Sequence, residues 1–285
     1  MSRRPEPFAP FTVERRMRIA LLVFALFATA VKADDFPTSP LYGLRDIDYH
    51  VVESEELGRG FHVYVSKPAG YADEDRDYPT LYLLDGGGLL PMLSAYYRYV
   101  EFNEDVPKML IVGISYGART FSGGNYRSTD FTAPSAEYDY WGGAERFQAF
   151  LSSILMPLVE ERYRSDADRR IVFGHSLGGQ FALFSAQTDP SLFWGHIASN
   201  PALHRNLEFF LDALPEKESK ASVFVGSGTD DDPLYREPRL EWIKHWTSRQ
   251  ARWPLEIRYL EGHTHMSTPP TVFLEGIQWL FSTSD

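Results

Sequence analysis

Ser176 stands in the run Gly174-His175-Ser176-Leu177-Gly178-Gly179, and that setting suits a hydroxyl meant to attack a carbonyl. An apolar strand leads into the run and an apolar helix, starting near Gln180, follows it. A serine on so sharp a turn is pushed into a strained conformation that exposes its oxygen, and flanking glycines keep neighbouring segments from colliding. A hydroxyl is a weak nucleophile at neutral pH, so three further parts are required: a base within hydrogen-bonding reach, an acid to orient the base, and donors for the oxyanion. Of the eight histidines, two late ones are candidates for the base, His265 and its neighbour His263. His175 adjoins the serine, but its side chain should point away from it and pack. His50, His62, His196, His204 and His245 read as surface or satisfied core residues. The acid is expected after the apolar run 222–225, where Asp230, Asp231 and Asp232 are adjacent; three such carboxylates cannot all point inward, so one would hold the imidazole and the others would face water. The amide of Leu177 offers one oxyanion donor, and a second should come from Asp85-Gly86-Gly87-Gly88. The chain has no cysteine, which excludes a thiol nucleophile, thiolate metal ligands and disulfides. This chemistry calls for no metal and no organic cofactor.

The elements that must carry these groups can be read from the pattern of apolar residues. Ile47-Tyr49-Val51 and Phe61-Val63-Val65 alternate with the period of half-buried strands, and Gly58-Arg59-Gly60 between them predicts an opening hairpin. The runs 80–84, 109–114, 170–173, 196–199 and 222–225 are apolar without alternation, as strands buried on both faces of a parallel sheet are. Helical stretches separate them, the clearest over 144–163, where Phe147, Phe150, Leu151, Ile154, Leu155, Leu158 and Val159 form one stripe. The expected fold class is therefore α/β, with a mostly parallel central sheet and helices on both faces. The stretch 115–143 is too long for an ordinary connection. It carries Tyr116, Phe121, Tyr126, Phe131, Tyr138, Tyr140 and Trp141 with Arg119 and Arg127, a set suited to stacking on an aromatic acyl group and pairing with an anion; the same aromatics could equally pack the loop onto the body.

The first 33 residues read as a secretory signal. Arg15, Arg16 and Arg18 precede an apolar run from Ile19 to Val31 that closes on Val31-Lys32-Ala33. That run is shorter than the roughly 18 to 20 residues needed to span a bilayer, so cleavage near Ala33 and a periplasmic or secreted product are expected rather than a membrane anchor. Residues 34–285 then form a single catalytic domain. Removing residues 1–33 takes the net charge from -11 to -15, which disfavours nucleic acid as a partner.

At these motifs the chain resembles the putative-esterase family of α/β-hydrolases, in the branch of enterochelin and ferric-siderophore esterases. The resemblance covers roughly residues 45 to 283. It rests on the segments 78–86 and 127–134 and on Gly174 to Gly179, together with His265-Met266-Ser267 followed by Pro269-Pro270 and Gly276. It implies Ser176 as nucleophile, His265 rather than His263 as base, and the amides of Gly87 and Leu177 as oxyanion hole. Where relatives carry a glutamate as acid, it implies Asp231. The family's Arg-x-x-Asp-x-Thr-Pro pattern sets an arginine near the active-site mouth, here Arg127, although Ala133 is inserted before the proline. Arg127, Tyr126 and Trp141 are thus expected to bind substrate, a small-molecule carboxylic ester of siderophore or other aromatic type. An acyltransferase or a feruloyl or acetyl carbohydrate esterase would use the same residues. A non-catalytic binding protein on this scaffold would be expected to have lost the serine or the histidine, and both are present.

Overall fold

The computed structural model describes residues 41–118, 123–212, 221–249, 251 and 253–282. The expected signal segment, 1–33, lies outside them, as do Arg119 and Phe121. None of the described helices is long and apolar enough to cross a membrane.

Eight strands form one sheet: β1 (Ile47–Ser54), β2 (Arg59–Ser66), β3 (Tyr78–Leu83), β4 (Leu110–Ser115), β5 (Ser165–His175), β6 (Gly195–Ser199), β7 (Ser222–Gly228) and β8 (Leu255–Leu260). Their order is β1-β2-β4-β3-β5-β6-β7-β8. The expected hairpin pairs β1 with β2 antiparallel, with Ser54 opposite Arg59, and β2 joins β4 antiparallel. From β4 onward every pairing is parallel. Strands β3, β4, β6 and β7 are buried along their whole length, which is why their sequences do not alternate.

The helices are α1 (Gly86–Phe102), α2 (Arg127–Asp130), α3 (Ala144–Phe150), α4 (Met156–Arg162), α5 (Leu177–Thr188), α6 (Leu207–Leu211), α7 (Pro233–Ser248) and α8 (Pro269–Ser282). One apolar layer packs Leu90, Leu93 and Tyr97 of α1 with Phe273, Ile277 and Leu280 of α8 under one face of the sheet. The opposite face is covered by a layer that includes Phe147, Phe150, Phe181, Phe184 and Trp242. Sheet strands are thus covered on both sides, the α/β-hydrolase arrangement.

Two elements differ from expectation. The helix over 144–163 is interrupted by a π-turn at Leu151–Leu155, whose extra residue rotates the face that follows, so Met156 is buried while Ile154 and Leu158 of the expected stripe are only half-buried. The glycines 86–88, a run more usual in a loop after a strand, are instead the first turn of α1.

Candidate active site

The strained elbow at Ser176 follows from the junction of β5 and α5. Ser176 has φ 58° and ψ -113°, a conformation that side chains rarely adopt and that costs on the order of 1–3 kcal/mol. Its backbone is held from three sides. The amide donates to Ser199 O at 2.9 Å, and the carbonyl accepts from Gln180 N and Ala202 N, each at 3.0 Å. A Cβ on Gly174 would lie 2.0 Å from the Gly178 carbonyl oxygen, so only glycine fits there. The second pinch falls at Gly179, whose Cβ would lie 3.1 Å from both Pro201 Cα and Ser199 O, rather than at Gly178, where an added Cβ meets nothing closer than 3.4 Å. Ser176 itself is half-buried.

The three adjacent aspartates part company. Asp230 is exposed and accepts from Thr229 Oγ1 at 3.1 Å. Asp232 caps α7, accepting from Leu234 N at 2.8 Å. Asp231 is buried, and its Oδ2 lies 3.0 Å from His265 Nδ1. His263 instead turns its Nδ1 to the Ser267 carbonyl at 3.1 Å, within its own turn. The His265 ring packs against His175 at 4.8 Å between centroids and against Tyr235 of α7 at 5.0 Å. His175 is the packing residue expected: burial drives its pKa down to about 3, so it stays neutral beside His265.

What holds the turn carrying His263 and His265 against the elbow is a set of residues that the sequence barely marks. Asn200, buried and with φ 42°, donates from Nδ2 to Thr264 O and His265 O at 3.3 Å each and accepts Gly228 N at 2.8 Å. Buried hydroxyls add a second tie: His175 Nδ1 to Ser199 Oγ (3.2 Å), Ser199 Oγ to Thr268 Oγ1 (3.0 Å), and Thr268 Oγ1 to His265 O (3.3 Å). The Asn200-Pro201 dipeptide just after a central strand was the one available hint.

Both expected oxyanion donors sit at helix N-termini, Gly87 in the first turn of α1 and Leu177 at the first position of α5. Amides there have no intrahelical carbonyl and lie at the positive end of the helix dipole, which favours a developing negative charge. Asp85, just before α1, has φ 54° and is gripped by Arg127, Nε to Oδ1 and Nη2 to Oδ2 both at 2.9 Å. Arg127 Nη2 also reaches the His175 carbonyl at 3.5 Å. One guanidinium therefore spans the two segments that carry the expected oxyanion donors.

The long loop is folded by its own polar residues. Asp130 is buried against Arg59 and the Tyr116 hydroxyl, the latter at 2.9 Å, and burial raises its pKa. The inserted Ala133 is used at both ends, its amide donating to Gln180 Oε1 (3.1 Å) and its carbonyl accepting from Asn206 Nδ2 (3.0 Å). The loop aromatics divide accordingly. Phe131 and Tyr116 pack with Phe61 and Phe147. Tyr126 is exposed beneath the Arg59 guanidinium at 4.4 Å. Tyr138 and Trp141 lie under Arg205 at 4.7 and 5.6 Å, and Arg205 pairs with Glu137 at 2.6 Å. His204 meets Tyr235 edge-on at 4.9 Å, so a line of rings runs from His265 through Tyr235 and His204 to Arg205 and Trp141. His204, Arg205 and Tyr235 were not expected here, because nothing near them in the chain marks them.

The family model described as "Putative esterase" matches residues 54–271, and the chain belongs to that family. It is 33% identical over 189 residues to the ferri-bacillibactin esterase of Bacillus subtilis, covering 61% of this chain and 64% of the relative. It is 30% identical over 211 residues to the siderophore triacetylfusarinine C esterase of Aspergillus fumigatus, covering 71% and 69%. The match thus spans just under two thirds of the Bacillus relative's length. Among solved structures, an IroE-like serine hydrolase from Shewanella oneidensis superimposes with a TM-score of 0.72 at 22% identity, covering 83% of this chain and 80% of that one, a likeness of fold.

Proposed function

We propose that this family member hydrolyses carboxylic esters through an acyl intermediate on Ser176. The observation that carries the reading is the His265 Nδ1 to Asp231 Oδ2 contact at 3.0 Å, on a turn tied through Thr268 and Ser199 to His175 of the strained elbow that carries Ser176. With Nδ1–H given to the carboxylate, Nε2 is the free base. Ser176 Oγ attacks the ester carbonyl while His265 Nε2 takes its proton. The Gly87 and Leu177 amides hold the oxyanion, and the leaving alcohol departs with the proton that His265 returns. Water, deprotonated by the same nitrogen, then attacks the acyl-serine and frees the acid.

For the substrate, the relatives' names point to siderophore esters, and the wall beside His265 suits a catecholate or other aromatic acyl group. Trp141 and Tyr138 supply aromatic surface, Arg205, 30% exposed and ion-paired with the exposed Glu137, can turn its charge to an anionic ligand, and Tyr126 stands exposed on the same loop. Arg127 fits this role less well, since its fork is already engaged by Asp85. We place the reaction outside the cytoplasm, after removal of residues 1–33, on the order of basic, apolar and small residues in that segment.

Purified wild-type protein should turn over a p-nitrophenyl ester and take up a fluorophosphonate label, and Ser176→Ala should do neither while keeping its fold; turnover retained in the variant refutes the assignment. Comparing a ferric tris-catecholate trilactone with an aryl ester of a sugar tests the substrate class: failure on the trilactone removes the siderophore reading, and failure on both leaves only a general esterase.

A further inference from the structure

Behind the Asp231–His265 contact lies a third charged group. Arg239 of α7 is completely buried, with Nη2 3.0 Å from Asp231 Oδ2, the same oxygen that meets His265. Its Nε donates to Ser227 Oγ of β7 at 2.9 Å, so the guanidinium is fixed on the strand that ends in the acid loop. The other Asp231 oxygen accepts the Asp232 amide at 2.8 Å. Tyr235 and Arg239 are four residues apart on α7, hence on one face, so the helix presents a ring to the imidazole and a cation to the carboxylate.

We infer that Arg239 is a positioning residue for the Asp231–His265 couple, anchoring the carboxylate and taking up part of its charge. The inference rests on the Ser176–His265–Asp231 reading above and adds a device to it.

The physical argument concerns how a buried carboxylate divides its charge. Alone beside an imidazole it would favour the protonated ring, since the ion pair would relieve a buried charge. With a guanidinium at the same oxygen, the pair Asp231–Arg239 is already neutral and the pull on a proton at His265 is smaller. The other groups facing this couple do not supply that balance. His175 beside the ring is neutral, Tyr235 and His204 contribute rings, and Arg127 acts from beyond His175. Arg236, next to Arg239 in the field of the pair, is a second cation that donates to Thr229 O at 2.7 Å. Burial presses the Arg239 pKa below its ordinary value and the Asp231 charge opposes this, as expected of a cation kept in place by one counter-ion.

The test is the pH dependence of kcat/KM for a neutral p-nitrophenyl ester with wild type, Arg239→Gln, Arg239→Lys and Ser227→Ala. In Arg239→Gln the acid limb should move to higher pH by about one unit and the plateau kcat should fall at least ~10-fold with little change in KM. Arg239→Lys, which keeps the charge, should return the limb to within a few tenths of a unit of wild type. Ser227→Ala, which frees the guanidinium without removing it, should shift the limb in the same direction by a few tenths; it carries the test should Arg239→Gln fail to fold. An acid limb that stays in place in every folded variant, with activity reduced evenly across pH, overturns the inference. Esterase activity that survives Ser176→Ala would sink the underlying reading instead, so the two failures are distinct.

Discussion

Gly228 offers a direct way to separate Asp231 from His265, the proposed acid and base, without touching either. It ends β7, three residues before Asp231, and its φ lies outside the left-handed region, so alanine can take its backbone conformation. The obstacle is space: the added Cβ would lie 2.4 Å from the His263 carbonyl oxygen and 3.1 Å from Thr268 Cγ2. Ordinary contact begins near 3.4 Å, so the turn carrying His263 and His265 must retreat by about 1 Å, because both neighbours are backbone or short side chain in a close-packed setting. That movement stretches the Nδ1 to Oδ2 contact from 3.0 Å to about 4 Å, beyond hydrogen-bonding range. Misplacement of this size costs roughly 10²-fold in rate, or about 2.7 kcal/mol in the barrier. Overpacking should cost a further 1–3 kcal/mol of stability, about 3–10 °C in Tm for a domain of this size. Steady-state kinetics of Gly228→Ala on a p-nitrophenyl ester should therefore show kcat lowered about 100-fold with KM little changed, and thermal melting should show the smaller stability loss. A variant with kcat within about threefold of wild type would mean that the contact between the acid and base turns does not set the catalytic geometry.

Two further outcomes follow from the charges. Arg127→Gln removes the bidentate partner of Asp85 and should lower kcat by about 10²-fold through a displaced N-terminus of α1, where the proposed Gly87 donor sits; the loss should be equal on neutral and anionic aryl esters, whereas a loss confined to the anionic one would return Arg127 to substrate binding. Acid should destabilise the protein early, because burial holds both His175 and His196 at about 3 while their unfolded value is near 6.5. Above pH 6.5 both states are neutral and nothing is gained or lost; as pH falls from 6.5 toward 3 only the unfolded chain takes up protons, so stability declines by up to about 1.4 kcal/mol per unit per histidine. Urea titrations from pH 7 to 4 should show this, and His196→Phe should flatten the slope relative to wild type if its own packing is accommodated; an unchanged slope would contradict the assignment.

The parts of this protein that could be read in advance are those decided within a few residues of chain. The strained turn at Ser176 is written in its own glycines, and the buried strands in their unbroken apolar runs. The opening hairpin shows in its alternation around Gly58 and Gly60. Three neighbouring aspartates look alike in sequence, since which of them turns inward depends on where α7 begins: once Asp232 caps that helix and Asp230 faces water, Asp231 is left pointing at the base turn. Arg239 was invisible for a related reason. An arginine after Pro238 in a polar helix looks like a solvated side chain, and only the packing of α7 on the end of β7 makes it the buried partner of Asp231. Asn200 likewise gains its part from three segments brought together far apart in sequence. Local chemistry thus points to the group proposed to react, while the groups proposed to aim it are chosen by tertiary contacts. Substitutions in that second set, such as Gly228→Ala or Arg239→Gln, are accordingly the ones whose effects a sequence pattern alone would least foresee.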